Sequence, residues 1–243
     1  MAGRGVQATQ AGHGVRATQA GRAHAFVADL VRPELDPYDR HHLERVLRLR
    51  PGDALSVSDG AGGWRLCRFG PALEPAGEIA TDPRPAPPLT VAFALVKGER
   101  PEWAVQKLTE LGVDRIVAFA AARSVVRWDA ERAARQTERL RRVAREAAAQ
   151  SRRTWLPEVE GVVPFDVVVS EPGAALADRE GDPPWLATGP VLVGPEGGWA
   201  DVEHSAAPRM ALGPHVLRAE TAAVTVGALL AALRAGLVSG VTP

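Results

Sequence analysis

The feature that most constrains this chain is a proline-rich break, Thr81-Asp82-Pro83-Arg84-Pro85-Ala86-Pro87-Pro88. Proline fixes φ and lacks an amide donor, so the run reads as a stiff linker and a domain boundary. The hydrophobic pattern changes across it. Before it, short alternating segments at 54–58, 64–69 and 77–80 are punctuated by glycine, which predicts a small β-barrel. One helix is expected among them at 36–49, with Leu43, Val46 and Leu47 on one face. After it, apolar strands at 89–96, 113–120, 167–170 and 190–193 alternate with helices. The first helix starts at Pro101, turns Ala104, Leu108 and Leu111 to the core and stops at Gly112. A longer Arg- and Ala-rich one covers 130–150, and the last, at 221–236, is apolar on nearly all sides. Strands alternating with helices predict an α/β domain with a mainly parallel sheet. The reading is thus a barrel at 22–81, a linker at 82–88 and an α/β domain at 89–243.

The first residues contain a near-duplicate, Gly3 to Ala11 repeated as Gly12 to Ala20, polar and rich in glycine. Little in either copy could pack a core, so residues 1–21 are expected to be a disordered extension. Acidic and basic side chains balance at 29 each, so net charge does not point to nucleic acid. Lys97 and Lys107 are the only lysines and Asn is absent, a pattern for which biased codon usage is sufficient. Cys67 stands alone, which excludes an intrachain disulfide and a cysteine-rich zinc site. His41 and His42 are adjacent and diverge on a helix, so no metal site is expected. No segment has the length of a membrane span and no signal-peptide core opens the chain, so a soluble cytoplasmic protein is expected.

Two segments near the end carry the chemistry. Gly194-Pro195-Glu196-Gly197-Gly198-Trp199 follows the apolar run Pro190-Val191-Leu192-Val193, so a buried strand ends in a glycine-rich loop that a ligand can approach closely. Leu212-Gly213-Pro214-His215-Val216-Leu217-Arg218-Ala219-Glu220-Thr221-Ala222 reads as a second loop closing onto a buried helix. Together they suggest a small-molecule pocket beside a catalytic surface. Read without further context, each could equally be a structural turn with a helix cap.

These segments resemble the SPOUT-type RNA methyltransferases, in particular the RsmE family, which methylates N3 of a uridine in 16S ribosomal RNA. The resemblance extends to Lys97-Gly98-Glu99-Arg100, Gln106-Lys107-Leu108-Thr109-Glu110-Leu111-Gly112-Val113, Arg123-Ser124-Val125-Val126 and Arg145-Glu146-Ala147-Ala148-Ala149-Gln150-Ser151, in order. His41-His42-Leu43-Glu44-Arg45-Val46-Leu47-Arg48 and Pro51-Gly52-Asp53 fit as well, so the match runs from about Arg22 to near the C-terminus.

The resemblance implies a PUA-like RNA-binding barrel, then a SPOUT domain whose C-terminal segment forms a deep trefoil knot, packed as a homodimer. It implies S-adenosylmethionine as methyl donor, held by Gly194, Pro195, Gly197, Gly198, Leu212, Gly213, Leu217 and Thr221. The partner is ribosomal RNA or the assembled small subunit. Glu196 and Glu220 are the acids near the methyl; either could hold the cofactor, act as base, or simply stabilise a helix N-terminus. Arg218 could clamp a phosphate, stabilise charge on O2 or O4 of the uracil, or pair with Glu220 or Glu196. Arg22, Arg45, Arg48, Arg123, Arg127 and Arg152 are candidate RNA contacts, with a solvated surface as the plain alternative.

The chain departs from the family at Ala122, where an acid is expected, at His215, where Arg is usual, and at Trp199, where Phe is usual. A ribose 2′-hydroxyl methylating branch relies on asparagines that this chain lacks. A non-catalytic RNA-binding protein on the same scaffold is the other reading, opposed by the retained Arg218, Glu220 and glycine-rich loop.

Overall fold

The computed structural model describes residues 21–96 and 100–239; the extension expected at 1–21, except Gly21, and Lys97-Gly98-Glu99 lie outside the described residues. The chain forms two compact units, one of residues up to Arg84 together with Ala149–Trp155, the other of Pro85–Ala148 and the residues from Leu156 on. The return of 149–155 to the front unit has no counterpart in a linear division at 82–88.

In the front unit, β1 (Ala23–Phe26) runs parallel to β2 (Ala54–Ser58), and β2 pairs antiparallel with β3 (Gly63–Arg68). Two short strands, β4 (Glu74–Pro75) and β5 (Ala80–Thr81), pair with opposite ends of β3. Leu55, Val57 and Cys67 are fully buried in its core, so the lone cysteine is a small hydrophobe. His24 is also buried, with Nδ1 2.8 Å from Ser56 Oγ and Nε2 3.2 Å from Ser58 Oγ. Burial, and secondarily the charge of Arg152, pulls its pKa from 6.5 down to about 4. Asp82 closes the unit: its carboxylate accepts from Trp64 Nε1 and Thr154 Oγ1, and its carbonyl accepts from Trp155 Nε1.

The helix expected at 36–49 is shorter and irregular. Asp36 caps α1 (Pro37–His41) by accepting from the Asp39 amide at 2.7 Å, and a π-helical turn follows at His42–Val46. The wider turn spoils the 3.6-residue period, so Leu43 is buried while Val46 and Leu47 are exposed.

The rear unit is a six-stranded, wholly parallel sheet. Its strands are β6 (Thr90–Ala94), β7 (Arg115–Ala120), β8 (Glu158–Pro164), β9 (Ala175–Asp182), β10 (Val191–Val193) and β11 (Arg209–Met210), in spatial order β11-β9-β10-β6-β7-β8. Its helices are α2 (Arg100–Glu110), α3 (Ala130–Gln150), α4 (Phe165–Val169), α5 (Asp201–His204) and α6 (Ala219–Arg234). Side chains alternate across the sheet, so Val91 and Phe93 join one core and Ala92 and Ala94 the other. Asp129 caps α3 through the Arg132 amide at 2.7 Å. Gly112 ends α2 with φ 90°, its amide and that of Val113 bonding back to Thr109 and Leu108.

The strand expected at 167–170 is instead α4. A short β-branched run cannot distinguish strand from helix by composition. Here Val168 is buried while Val167 is half exposed. Strands β8 and β9 carry charged residues along their length and escaped the pattern. A buried tether secures the last helix: Arg234 donates to Asp114 Oδ2 and to Gly112 O, while Asp114 also accepts from the Leu89 amide.

Candidate functional site

The chain builds outward from β6 through β7 to β8, then crosses to β9 and inserts β10 between β9 and β6. The order therefore reverses between β6 and β10, and ligands of open parallel sheets bind beyond the carboxyl ends of strands at such a point. Beyond β10 lies a cleft of about 470 Å³.

The first wall is the expected glycine loop. Gly194, Pro195, Glu196 and Gly198 line the cleft, while Gly197 lies against Arg123 instead. Gly198 has φ 71° in a turn closed by its amide on Pro195 O, a conformation that disfavours any Cβ. A Cβ on Gly194 would meet the Trp199 ring at 3.0 Å. That ring stacks on Phe119 with centroids 6.1 Å apart, tilts against Phe165, and donates Nε1 to Ala177 O at 3.1 Å. The indole therefore fastens the loop down, and the change from Phe to Trp adds a hydrogen bond.

Glu203 does the same from below. It is buried, accepting the Ala122 amide at 2.8 Å on one oxygen and the Ala200 amide at 3.0 Å on the other. Position 122 thus contributes its backbone here, and Ala122 leaves that contact intact. The same tie brings Arg123 to the glycine loop, where Nη1 lies 3.4 Å from Gly197 O.

The second wall is the later loop. Leu212, Gly213 and Leu217 line the cleft with His215 and Val216, and Val193 and Ala222 add apolar surface. Thr221 is exposed and outside the wall. Arg218 is exposed at the N-cap of α6, and among the described residues it makes no ion pair with Glu220 or Glu196.

Both acids are instead engaged by Arg100, which the sequence reading left unassigned. Its Nη1 donates to Glu196 Oε1 at 2.7 Å, and its Nε lies 3.7 Å from Glu220 Oε1. Glu220 Oε2 is buried with no hydrogen-bond partner among the described residues. A further cluster also went unforeseen: His204 Nε2 lies 2.9 Å from Asp178 Oδ2 and 3.0 Å from Arg209 Nη1, with Asp178 and His204 on the cleft wall. His204 and Arg209 are close in sequence, but Asp178 lies 26 residues before His204 and shares no motif with them, so only the fold joins it to the pair.

Of the candidate RNA contacts, Arg45, Arg48 and Arg127 are exposed. Arg22 donates to Asp53 at 2.8 Å; the Arg50 amide first, and Arg22 after it, hold that carboxyl below its usual range. Arg152, which the sequence places after the long helix, belongs to the front unit beside His24. Arg48 and Arg152 both have left-handed backbone, φ 55° and 58°, a strained state for residues with a Cβ. Among the described residues no group of His, Cys, Asp and Glu could hold a metal, and no helix is long and apolar enough to cross a membrane.

The RNA methyltransferase domain family matches residues 83–231, and the RNA methyltransferase PUA domain matches 35–70. A ribosomal RNA small subunit methyltransferase E of Mycobacterium tuberculosis is 37% identical over 225 residues, 80% of this chain and 84% of that protein. The chain belongs to the ribosomal RNA small subunit methyltransferase E family. The member from Bacillus subtilis is 30% identical over 75% of this chain and 82% of its own length. A crystal structure of the Neisseria gonorrhoeae member bound to S-adenosyl methionine superposes with TM-score 0.73 at 25% identity, covering 87% of this chain and 97% of that one. A Legionella pneumophila protein solved with the same cofactor gives 0.75 at 26%, over 86% and 97%. The family thus combines the PUA domain with a SPOUT-type α/β domain in one chain.

Proposed function

We propose that this protein is an S-adenosylmethionine-dependent methyltransferase that modifies N3 of a uridine in 16S ribosomal RNA. The observation that carries the reading is the cleft at the β6–β10 reversal, walled by the two loops that the family resemblance singled out. Its volume of about 470 Å³ suits a small cofactor. Val193, Leu212, Leu217 and Ala222 offer an apolar bed for an adenine, and Gly194, Gly198 and Gly213 offer bare backbone. Thr221 and Gly197 fit a supporting role better than direct contact.

The cofactor supplies an electrophilic methyl group. The residues of this chain must do the rest. N3 of uracil carries a proton and is weakly nucleophilic until that proton leaves. Glu196 on the cleft wall and Glu220 at the start of α6 are the groups proposed to receive it or to orient the cofactor. Arg218, exposed and not ion-paired with either acid, is proposed to meet the charge that grows on the uracil oxygens, or a neighbouring phosphate. The base must be splayed out of any stack to reach the site. Arg22, Arg45, Arg48 and Arg152 of the front unit, with Arg123 and Arg127 of the rear, are proposed to grip phosphates.

We place the homodimer and the knot of the family in the same proposal. Val125, Val202, Val216 and Leu237 are strongly exposed, as an unpaired protomer would leave them. The cytoplasm, where ribosomes assemble, is the expected place of action.

The test is mass spectrometry of small-subunit ribosomal RNA from cells lacking the gene, before and after incubation with the purified protein and S-adenosylmethionine. Loss and restoration of one 3-methyluridine is the expected result. An unchanged level of that nucleoside in both samples would refute the target.

A further inference from the structure

Three chain segments converge on one guanidinium. β6 and β10 are parallel neighbours, with Val193 opposite Phe93, so the segments leaving their carboxyl ends start side by side. One leads to Arg100 at the start of α2, the other to Glu196 in the glycine loop. The third segment is the first turn of α6, which supplies Glu220. Arg100 Nη1 reaches Glu196 Oε1 at 2.7 Å and Nε faces Glu220 Oε1 at 3.7 Å.

Arg100 can do this because its donors are fixed in a plane and point in different directions; a lysine ammonium is a single point charge. Without a cation, two carboxylates in one neighbourhood would repel. The second observation is the bare oxygen. The Glu220 side chain is only 13% exposed, and its Oε2 is buried without a donor among the described residues. Leaving a buried acceptor unsatisfied is costly, so such atoms call for an explanation. Ala219, immediately before Glu220, and Ala222, two residues after it, are on the cleft wall.

We infer that Arg100 is a positioning residue: it holds Glu196 and Glu220 in one fixed arrangement, engaging Oε1 of Glu220 and leaving Oε2 for the reacting complex. The inference rests on the proposed catalytic reading of Glu220. It assigns Arg100 to the acids rather than to RNA phosphate.

The experiment is a cycle on the full-length protein with small-subunit RNA and S-adenosylmethionine, using Arg100→Ala, Arg100→Lys, Glu220→Gln and the double variant Arg100→Ala/Glu220→Gln. Arg100→Ala should lower kcat by up to about 10²-fold, the scale of a displaced reacting group, with KM for RNA and cofactor affinity by calorimetry little changed. Arg100→Lys should recover only part of the rate, and it carries the test if the alanine variant does not fold. The double variant should lose clearly less than the product of the two single losses, because Arg100 acts in part through Glu220. A raised KM for RNA with kcat intact would make Arg100 a phosphate contact and overturn the inference. Losses that multiply in the double variant, with Glu220→Gln impaired, would overturn it alone. Full activity in Glu220→Gln would overturn the catalytic reading and the inference with it.

Discussion

The two loops that wall the cleft are held in opposite ways. The glycine loop is fastened by the Trp199 ring between Phe119 and Phe165, by the Glu203 carboxylate and by Arg100 on Glu196. In the second loop Pro214, His215 and Val216 are exposed, and among the described residues no hydrogen bond reaches 213–216. One wall is preorganised. The other is held at its ends, where Leu212 and Leu217 pack on the core, with an exposed tip between them, and it leads directly into Arg218 and Glu220.

The contrast can be broken at its strongest point. Trp199→Ala should cost about 3–5 kcal/mol of stability in denaturant unfolding, the range for removing a buried aromatic. It should also weaken cofactor binding, because the loop loses its anchor. On the other wall, Arg218→Ala should lower kcat by about 10²–10³-fold, as expected for an electrostatic group acting in the transition state. Its melting temperature should stay close to that of the parent protein, since the side chain is exposed. A normal rate for this variant would remove Arg218 from the mechanism.

A perturbation that touches neither wall supplies the baseline. His24 is neutral in the native state down to about pH 4, whereas the unfolded chain takes up a proton near 6.5. Stability should therefore be full above pH 6.5, fall by about 3 kcal/mol as pH drops toward 4, and level off below. His24→Gln should flatten that part of the profile, measured by urea unfolding at each pH. Next in size is Glu203→Gln, which leaves one buried amide poorly matched and should cost about 1–3 kcal/mol. The smallest effect belongs to the loose wall: Val216→Ala should change stability by no more than about 0.5 kcal/mol. A large loss there would show that the second loop is anchored after all.

Local signals made much of this legible in advance. The long helix at 130–150 was readable because it is rich in Arg and Ala, which favour helix, and the structure adds the Asp129 cap. The glycine loop was readable as a loop after a buried strand from Gly194, Gly197 and Gly198, and as a cofactor wall only through the family resemblance. What could not be read was long-range. Arg100 and Glu220 meet across the whole rear unit, and Glu203 reaches Ala122 through the fold. The valines of α4 satisfy both periods over so few residues, so the sequence alone predicts a strand there. The shortened α1 turned on a π-helical turn, which leaves no mark in composition.

The stitch at Asp82 also bears on how the protein is made. Synthesis runs from the N-terminus, and the front unit would ordinarily fold as soon as it left the ribosome. Here its last pieces, Thr154 and Trp155, arrive only after the first strands and helices of the rear unit have been translated. Until then Asp82 waits without two of its partners. The first unit to emerge therefore cannot finish until much of the second has already been made.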